Sequence, residues 1–255
     1  MKPGPLHVVR SVAYDVLLYG LMGVMGILFL PLTITRAGTY KVIWIYCNTM
    51  LWLLRPICGI RCEVRGPVPE GDVLIASKHQ SFLDILILVN TLPRAKFVMK
   101  RELRYVPIFG LYALRIGSTP VARGQRSRAM KAMVSHVNKD ERLDGQLVIY
   151  PQGTRVAPGA YLPYKVGAGV LYERLGVPCV PVATNAGVFW GRRKWWRLPG
   201  TAVIEFLEPV PPGLPVKEFM ERIEPVIEDA SDDLMREAGV ELPPGPRQAR
   251  SAPAR

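Results

Sequence analysis

The sequence predicts an α/β protein with a largely parallel central sheet flanked by helices, preceded by an N-terminal membrane-associated helical segment. After Pro67, short apolar runs alternate with longer segments of helical periodicity, as expected when crossover helices cover both faces of a parallel sheet. Before that point lies an uncharged apolar stretch from Val16 to Ile34. A chain of 255 residues is also long enough to bury a sizeable core.

This pattern divides the chain into three parts: N-terminal helices in residues 1–66, an α/β domain in residues 67–240, and a disordered, basic, Pro-rich tail in residues 241–255. Short apolar runs predict strands at Val73–Ala76, Lys96–Met99, Pro120–Ala122, Gln146–Tyr150, Val177–Ala183 and Thr201–Phe206. Longer periodic segments predict helices at Phe82–Val89, Phe109–Ile116, Val166–Leu175 and Val216–Ala238, and one capped by Ser127.

The N-terminal apolar stretch is close to the ~20 residues that a helix needs to cross a bilayer. A second apolar run, Val42–Leu54, is shorter and contains Trp44 and Trp52, which suits an interfacial helix. A cleaved signal peptide and a buried pair of core helices are the alternatives. The missing polar face favours membrane contact, but spanning and insertion into one leaflet both remain open.

The net charge and the cysteines indicate which kinds of partner and which redox environment to expect. A net charge of +12 favours an anionic partner, which includes nucleic acid, an anionic membrane surface and a phosphorylated substrate. The four cysteines show neither a disulfide framework nor a zinc-site spacing, so we expect reduced thiols and no metal site. We therefore expect the protein to be associated with the inner (cytoplasmic) membrane, with its α/β domain facing the cytoplasm.

The first predicted strand leads directly to a histidine and, five residues later, a carboxylate: His79 and Asp84. Ligands of parallel sheets bind beyond the C-terminal ends of the strands, where His79 would lie. A carboxylate that accepts from one ring nitrogen leaves the other free to take a proton from an attacking hydroxyl. The alternative is a helix-capping histidine with a surface aspartate. Acylation of Ser77 or Ser81 as a nucleophile is disfavoured because neither serine lies in a G-x-S-x-G turn.

Cations follow the next three predicted strands: Lys100, Arg123 and Arg155. Guanidinium groups suit a phosphate because they bind two oxygens at once. Gly153, beside Arg155, leaves room for backbone N–H groups to approach an anion. Each cation alone would be an ordinary surface charge, but three strand ends that converge on one crevice predict an anion site.

Together these segments resemble the glycerophosphate and lysophosphatidate acyltransferase family. Its NHQS-x2-D, K-x-E-L-x3-P-x2-G, FPEGTRS and V-P-V-x-P blocks correspond, in order, to KHQSFLD, KRELRYVPIFG, YPQGTR and VPCVPVATNAG. Four blocks in order over roughly Ala76–Gly187 are a specific signal, whereas one block would be weak.

The resemblance implies an enzyme in which His79 is the general base and Asp84 orients it. It places Lys100, Arg123 and the turn Gly153, Thr154 and Arg155 around the substrate phosphate. It implies no bound cofactor and an acyl thioester donor, either acyl-CoA or acyl-ACP (on acyl carrier protein). The acceptor would be the sn-2 hydroxyl of lysophosphatidic acid. Other lysolipids, such as a lyso-ornithine lipid, and a non-catalytic membrane or lipid-binding protein remain alternatives.

Two residues depart from the family blocks. Lys78 replaces the usual Asn before the histidine, and Gln152 replaces the usual Glu of the third block. Gln152 can still form hydrogen bonds, but it cannot act as a carboxylate. Both changes make this part of the chain more positive.

A late segment mixes aromatic residues with cations, and Trp190, Trp195 and Trp196 are its candidate membrane-binding residues. The alternative is that these tryptophans fold back onto the core. A nucleic-acid-binding function would use the same charge and aromatic residues, but it leaves the apolar N-terminus and the His79–Asp84 pair unexplained. We therefore expect no nucleic acid partner.

Overall fold

The computed structural model describes residues 4–122 and 143–243. Its helices are α1 (Pro5–Leu28), α2 (Arg36–Cys58), α3 (Leu83–Thr91), α4 (Phe109–Arg115), α5 (Gly167–Leu175), α6 (Ala186–Phe189) and α7 (Val216–Glu237). Short 3-10 helices span Leu30–Ile34 and Arg101–Tyr105. The strands are β1 (Ile60–Arg65), β2 (Val73–Ser77), β3 (Ala95–Lys100), β4 (Thr119–Val121), β5 (Gln146–Ile149), β6 (Cys179–Thr184) and β7 (Gly200–Phe206). The predicted helix at Ser127 lies outside the described residues.

Within the described ranges, the strands form one sheet in the order β1-β7-β6-β2-β5-β3-β4. The five strands from β6 to β4 are mutually parallel, and β7 joins β6 antiparallel. This mixed α/β architecture with a mostly parallel sheet confirms the predicted fold class. The C-terminal ends of β2, β5 and β3 are adjacent, so the segments that follow these strands meet at one edge of the sheet.

Strand β1 differs from the sequence-based division of the chain. Its residues fall within the range 1–66 that the sequence assigned to the N-terminal helices, yet they pair in parallel with β7 at the sheet edge. The strand alternates charged residues with short apolar ones and is mostly half-exposed. Such an edge strand gives only a weak apolar signal, and it follows directly on the stronger signal of α2.

Two apolar layers cover the sheet. Side chains that alternate along β2 explain why its sequence is apolar throughout: Ile75 packs toward the N-terminal helices and α3, whereas Leu74 and Ala76 pack toward α5 and α7. Helix α7 contributes a buried stripe at helical spacing, Phe219, Ile223 and Ile227. The sheet is thus held between the N-terminal helices on one face and α7 on the other.

Helix α1 is docked on the domain at two places along its length. In its first half, the buried Arg197 guanidinium pairs with Asp15 at 2.5 Å and donates to the Ser11 carbonyl at 3.0 Å. Near its end, the Tyr112 hydroxyl donates to the Gly26 carbonyl at 3.0 Å. The helix is long and apolar enough to cross a membrane, and only 22% of its most apolar window is buried. Several of its large apolar side chains, among them Val16, Val24 and Ile27, are exposed.

Candidate active site

His79 lies just beyond the end of β2, and Asp84 lies in the first turn of α3. The His79 Nδ1 atom is 3.0 Å from Asp84 Oδ1 and 3.2 Å from Oδ2. With Nδ1 bonded to the carboxylate, the ring proton resides there and Nε2 has a free lone pair. Strand β2 and the helix after it thus bring the predicted pair into contact.

The Asp84 carboxylate is fully buried and held by backbone groups. Its Oδ2 atom accepts hydrogen bonds from the amides of Gln80 at 2.8 Å and Ser81 at 2.7 Å. These amides precede α3, where the helix dipole also favours a negative charge. A buried carboxylate in four polar contacts is not a surface aspartate, so the geometry removes the helix-cap alternative. The Asp84 carboxylate holds the His79 ring in one orientation.

Tyr150 is part of the site, and the sequence reasoning did not single it out. It follows β5, the strand next to β2, and its ring stacks on the His79 ring with centroids 3.9 Å apart. Its hydroxyl donates to Asp84 Oδ1 at 3.4 Å. Burial, and then the Asp84 charge and hydrogen bond, raise the pKa of Tyr150 well above its ordinary 10.0, despite the Arg155 guanidinium. The phenol therefore remains a neutral donor. An aromatic residue at the end of the neighbouring strand was the available signal.

A cavity of about 190 Å³ begins at the dyad. His79, Tyr150 and Lys100 are among its polar lining residues, together with Ser118, Tyr46 and Tyr112. Of the predicted phosphate-binding residues that the structure describes, only Lys100 lines it. Elsewhere the walls are apolar side chains from α1 to α4, from strand β3 and from the segments that precede α3 and α4, among them Met22, Met25, Ile43, Phe82, Leu86, Val89, Phe97, Leu103, Ile108, Phe109 and Ala113. The His79–Asp84 pair therefore faces a space suited to hydrocarbon.

Comparison with known proteins agrees with this geometry. Residues 59–185 match the family model described as Acyltransferase. The 1-acyl-sn-glycerol-3-phosphate acyltransferase of Pseudomonas aeruginosa is 31% identical over 201 residues, covering 77% of this chain and 78% of the relative. The chain belongs to the 1-acyl-sn-glycerol-3-phosphate acyltransferase family. It is therefore an acyltransferase, and the resemblance seen in the sequence is confirmed.

One further relative and one solved structure extend the comparison. The human 1-acyl-sn-glycerol-3-phosphate acyltransferase beta is 35% identical over 158 residues, covering 60% of this chain and 57% of the relative. The crystal structure of the 1-acyl-sn-glycerophosphate acyltransferase of Thermotoga maritima matches with a TM-score of 0.74 at 19% identity. That match covers 90% of this chain and 96% of the other, and it shows that the two chains share a fold.

Three of the other predicted phosphate-binding residues lie in the described segment just after Tyr150. Gly153, Thr154 and Arg155 form the turn that follows Tyr150, and Gly153 has a positive φ of 68°. A Cβ atom at Gly153 would lie 2.6 Å from Lys165 Nζ, so the glycine admits an ammonium group close to the backbone. Arg123 lies outside the described residues.

The aromatic segment corrects one prediction. Trp190 is only 8% exposed, so it is not a membrane-binding side chain. Arg197 stacks over its ring at 3.8 Å, and Tyr14 and Phe82 pack edge-on against it. A buried guanidinium is stabilised by aromatic faces, which explains why this tryptophan turns inward. Trp195 is 56% exposed and Trp196 is partly buried.

In the part of the chain that the structure describes, three or more His, Cys, Asp or Glu side chains nowhere gather as a metal-binding group. The four cysteines are free thiols, with Cys47, Cys58 and Cys179 buried and Cys62 partly buried.

Proposed function

We propose that this protein transfers a fatty acyl group from an acyl thioester to the sn-2 hydroxyl of lysophosphatidic acid, which makes phosphatidic acid. The observation that carries the proposal is a buried His79–Asp84 pair at the mouth of an apolar cavity. The names of the relatives from Pseudomonas aeruginosa and human support this acceptor. The donor is acyl-CoA or acyl-ACP.

The geometry supports a direct transfer. His79 Nε2 takes the proton of the acceptor hydroxyl as its oxygen attacks the thioester carbonyl carbon. The tetrahedral intermediate then expels the thiolate, which takes up the proton that the imidazolium holds. The Asp84 carboxylate stabilises the imidazolium, and Tyr150 limits the movement of the ring by stacking on it.

Positive charge at the cavity supports anionic substrates. Lys100 lines the cavity and is half-exposed, and Arg101 and Arg104 follow it on an exposed 3-10 helix. These cations would face the phosphate of the acceptor, the phosphates of coenzyme A or the acidic surface of a carrier protein. Arg155, on the turn after Tyr150, serves the acceptor phosphate in this proposal.

The deciding experiment is an acceptor panel. Purified protein in mixed micelles receives labelled acyl-CoA or acyl-ACP together with lysophosphatidic acid, glycerol 3-phosphate, a lyso-ornithine lipid or lysophosphatidylcholine. We expect labelled phosphatidic acid as the dominant product. The rate of the His79→Ala variant should be lower by a factor of about 10²–10⁴. A dominant product from another lysolipid, or normal turnover by His79→Ala, would overturn the proposal.

The chain is membrane-associated, and we propose that it enters one leaflet of the inner membrane, with its catalytic domain in the cytoplasm. Because α1 contacts the domain at its middle and near its C-terminal end, a spanning α1 would carry part of the domain into the bilayer. The exposed surface of α1 and α2 includes large apolar side chains such as Val16, Ile27 and Trp52. Such a face suits shallow burial at the headgroup boundary.

A membrane contact at Trp195 can be tested separately. Trp195 is flanked by the exposed cations Arg193 and Lys194, which favour an anionic surface. We expect Trp195→Ala to weaken flotation with phosphatidylglycerol vesicles by several-fold, and Trp190→Phe, at a buried position, to leave flotation unchanged. Unchanged flotation of the Trp195 variant would assign that residue no membrane role.

A further inference from the structure

A buried ion pair lies beneath the dyad, on the face of the sheet opposite to it. Lys78 immediately precedes His79, but its side chain points toward α7, where its Nζ atom lies 2.5 Å and 2.6 Å from the two carboxylate oxygens of Glu228. Both side chains are only 2% exposed. A buried pair of this kind is maintained only by close geometry and additional hydrogen bonds.

Glu228 also contacts the segment that follows the neighbouring strand. Its Oε1 atom accepts from the Gln152 side-chain amide at 3.3 Å and from the Tyr164 hydroxyl at 3.0 Å. Gln152 is two residues beyond Tyr150, whose ring stacks on His79. One carboxylate on α7 therefore contacts residues beside both rings of the site.

The orientation of Gln152 follows from its partners. Its NH₂ group donates both to Glu228 and to the Leu162 carbonyl, and its buried Oε1 atom has no hydrogen-bond partner. Turning the amide over would direct its oxygen at a carboxylate and a carbonyl, which both accept. The Gln152 Oε1 atom therefore lacks a hydrogen-bond partner because the amide is oriented so that its NH₂ group donates to Glu228.

These two residues, Lys78 and Gln152, are the two departures from the family blocks, and both end on Glu228. A glutamate at position 152 would place a second carboxylate beside Glu228. Glu228 itself lies on a face of α7 that also buries Asp232. The amide at position 152 and the ammonium at position 78 thus match a carboxylate supplied by α7.

We infer that Glu228 is a positioning residue of the acyl transfer reaction. It holds Lys78 and Gln152, and through them it fixes the His79 turn and the turn of residues 153–155 relative to each other. The backbone supports the same link, because the Val156 amide donates to the His79 carbonyl at 2.8 Å. This inference rests on the proposed function in one respect, namely that acyl transfer is the reaction measured in the test.

The test moves the carboxylate from one position to the other. The variants are Gln152→Glu, Glu228→Gln and the double variant, which again has one carboxylate in the group. Each is assayed for kcat and for KM toward acceptor and donor, with folded protein quantified by circular dichroism. Glu221→Gln is the matched control, since Glu221 is exposed on the same helix and pairs with Lys217 at 3.8 Å.

We expect each single variant to lower kcat at least tenfold per folded molecule, with less than twofold change in either KM. The double variant should recover to within about threefold of the original kcat. A role confined to stability would instead change the amount of folded protein and leave kcat per folded molecule unaltered. If Glu228→Gln does not fold, the comparison of Gln152→Glu with the double variant decides.

The inference is overturned if either folded single variant keeps the original kcat, or if the double variant is no faster than Gln152→Glu. Its failure is distinct from failure of the proposed function. The acceptor panel tests which substrate the unmodified protein uses, whereas these variants are compared with that protein on whichever acceptor it uses best.

Discussion

Replacing Asp84 by asparagine should reverse the proton arrangement of His79 while changing the shape of the site very little. Asp84 Oδ2 accepts from the amides of Gln80 and Ser81, so the single oxygen of an asparagine would be held there. Its NH₂ group would then face His79 Nδ1, now about 3.0 Å from a donor. The ring must accept at Nδ1 and carry its proton on Nε2, where the base is needed.

The magnitude follows from this arrangement. Inverting the tautomer in a His–Asp pair costs about 10⁴ in kcat, and general-base help is worth about 10²–10⁴. We expect Asp84→Asn to lower kcat by about 10³–10⁴, or about 4–5.5 kcal/mol of activation free energy. Two amide bonds to Asp84 become bonds to a neutral oxygen, each weaker by about 1 kcal/mol, so Tm should fall by about 4–8 °C.

The assay is the initial rate of phosphatidic acid formation at saturating substrates, divided by the concentration of folded protein. Asp233→Asn is the control, because that carboxylate is exposed on α7 and pairs with Arg236 on the helix surface. The double variant His79→Ala with Asp84→Asn should be no slower than His79→Ala, because the two residues act as a unit. More than a tenth of the original kcat in Asp84→Asn, or multiplicative losses in the double variant, would refute the reasoning.

Four further predictions concern three residues in the surroundings of the dyad. Tyr150→Phe keeps the stack on His79 but loses the long hydrogen bond to Asp84, so kcat should fall only about two- to tenfold. The raised pKa of Tyr150 means that the folded state holds its proton when the unfolded state releases it, so stability falls as pH rises above about 10. Urea midpoints at pH 9 and pH 11 should therefore differ less in Tyr150→Phe, and equal differences would contradict this. Ile108 lines the cavity with a positive φ of 63° and fills the space beside Gly26. Ile108→Gly removes four carbons, so the preferred acyl chain should lengthen by about three or four methylenes in competition between thioesters, and an unchanged preference would place Ile108 away from the chain. Arg155→Ala should raise KM for lysophosphatidic acid about 10- to 100-fold and leave KM for monoacylglycerol unchanged, since a charged hydrogen bond is worth about 1.5–3 kcal/mol. Equal effects on both acceptors would remove Arg155 from the phosphate site.

Local sequence patterns were sufficient for most of the fold. Strands β2, β5 and β7 and helices α4, α5 and α7 begin and end within about three residues of the predicted bounds, because their apolar periodicity is continuous and Gly176 or Gly117 marks an end. The His79–Asp84 contact was also predictable, since five residues across a strand-to-helix turn bring the two side chains together. Strand β1 was missed because a half-exposed edge strand carries little periodic signal.

The sequence by itself determined the α/β fold, the family and the identity of the dyad, because each depends on residues close together in the chain or on blocks in a fixed order. Tertiary structure alone decided which aromatic residues turn inward and what lies behind the His79 turn. Trp190 is buried because Arg197 and Asp15, 182 residues apart, pair beside it. Lys78 and Glu228 meet across 150 residues. No local pattern encodes such contacts, since they exist only once the sheet has formed and the helices have packed on its two faces.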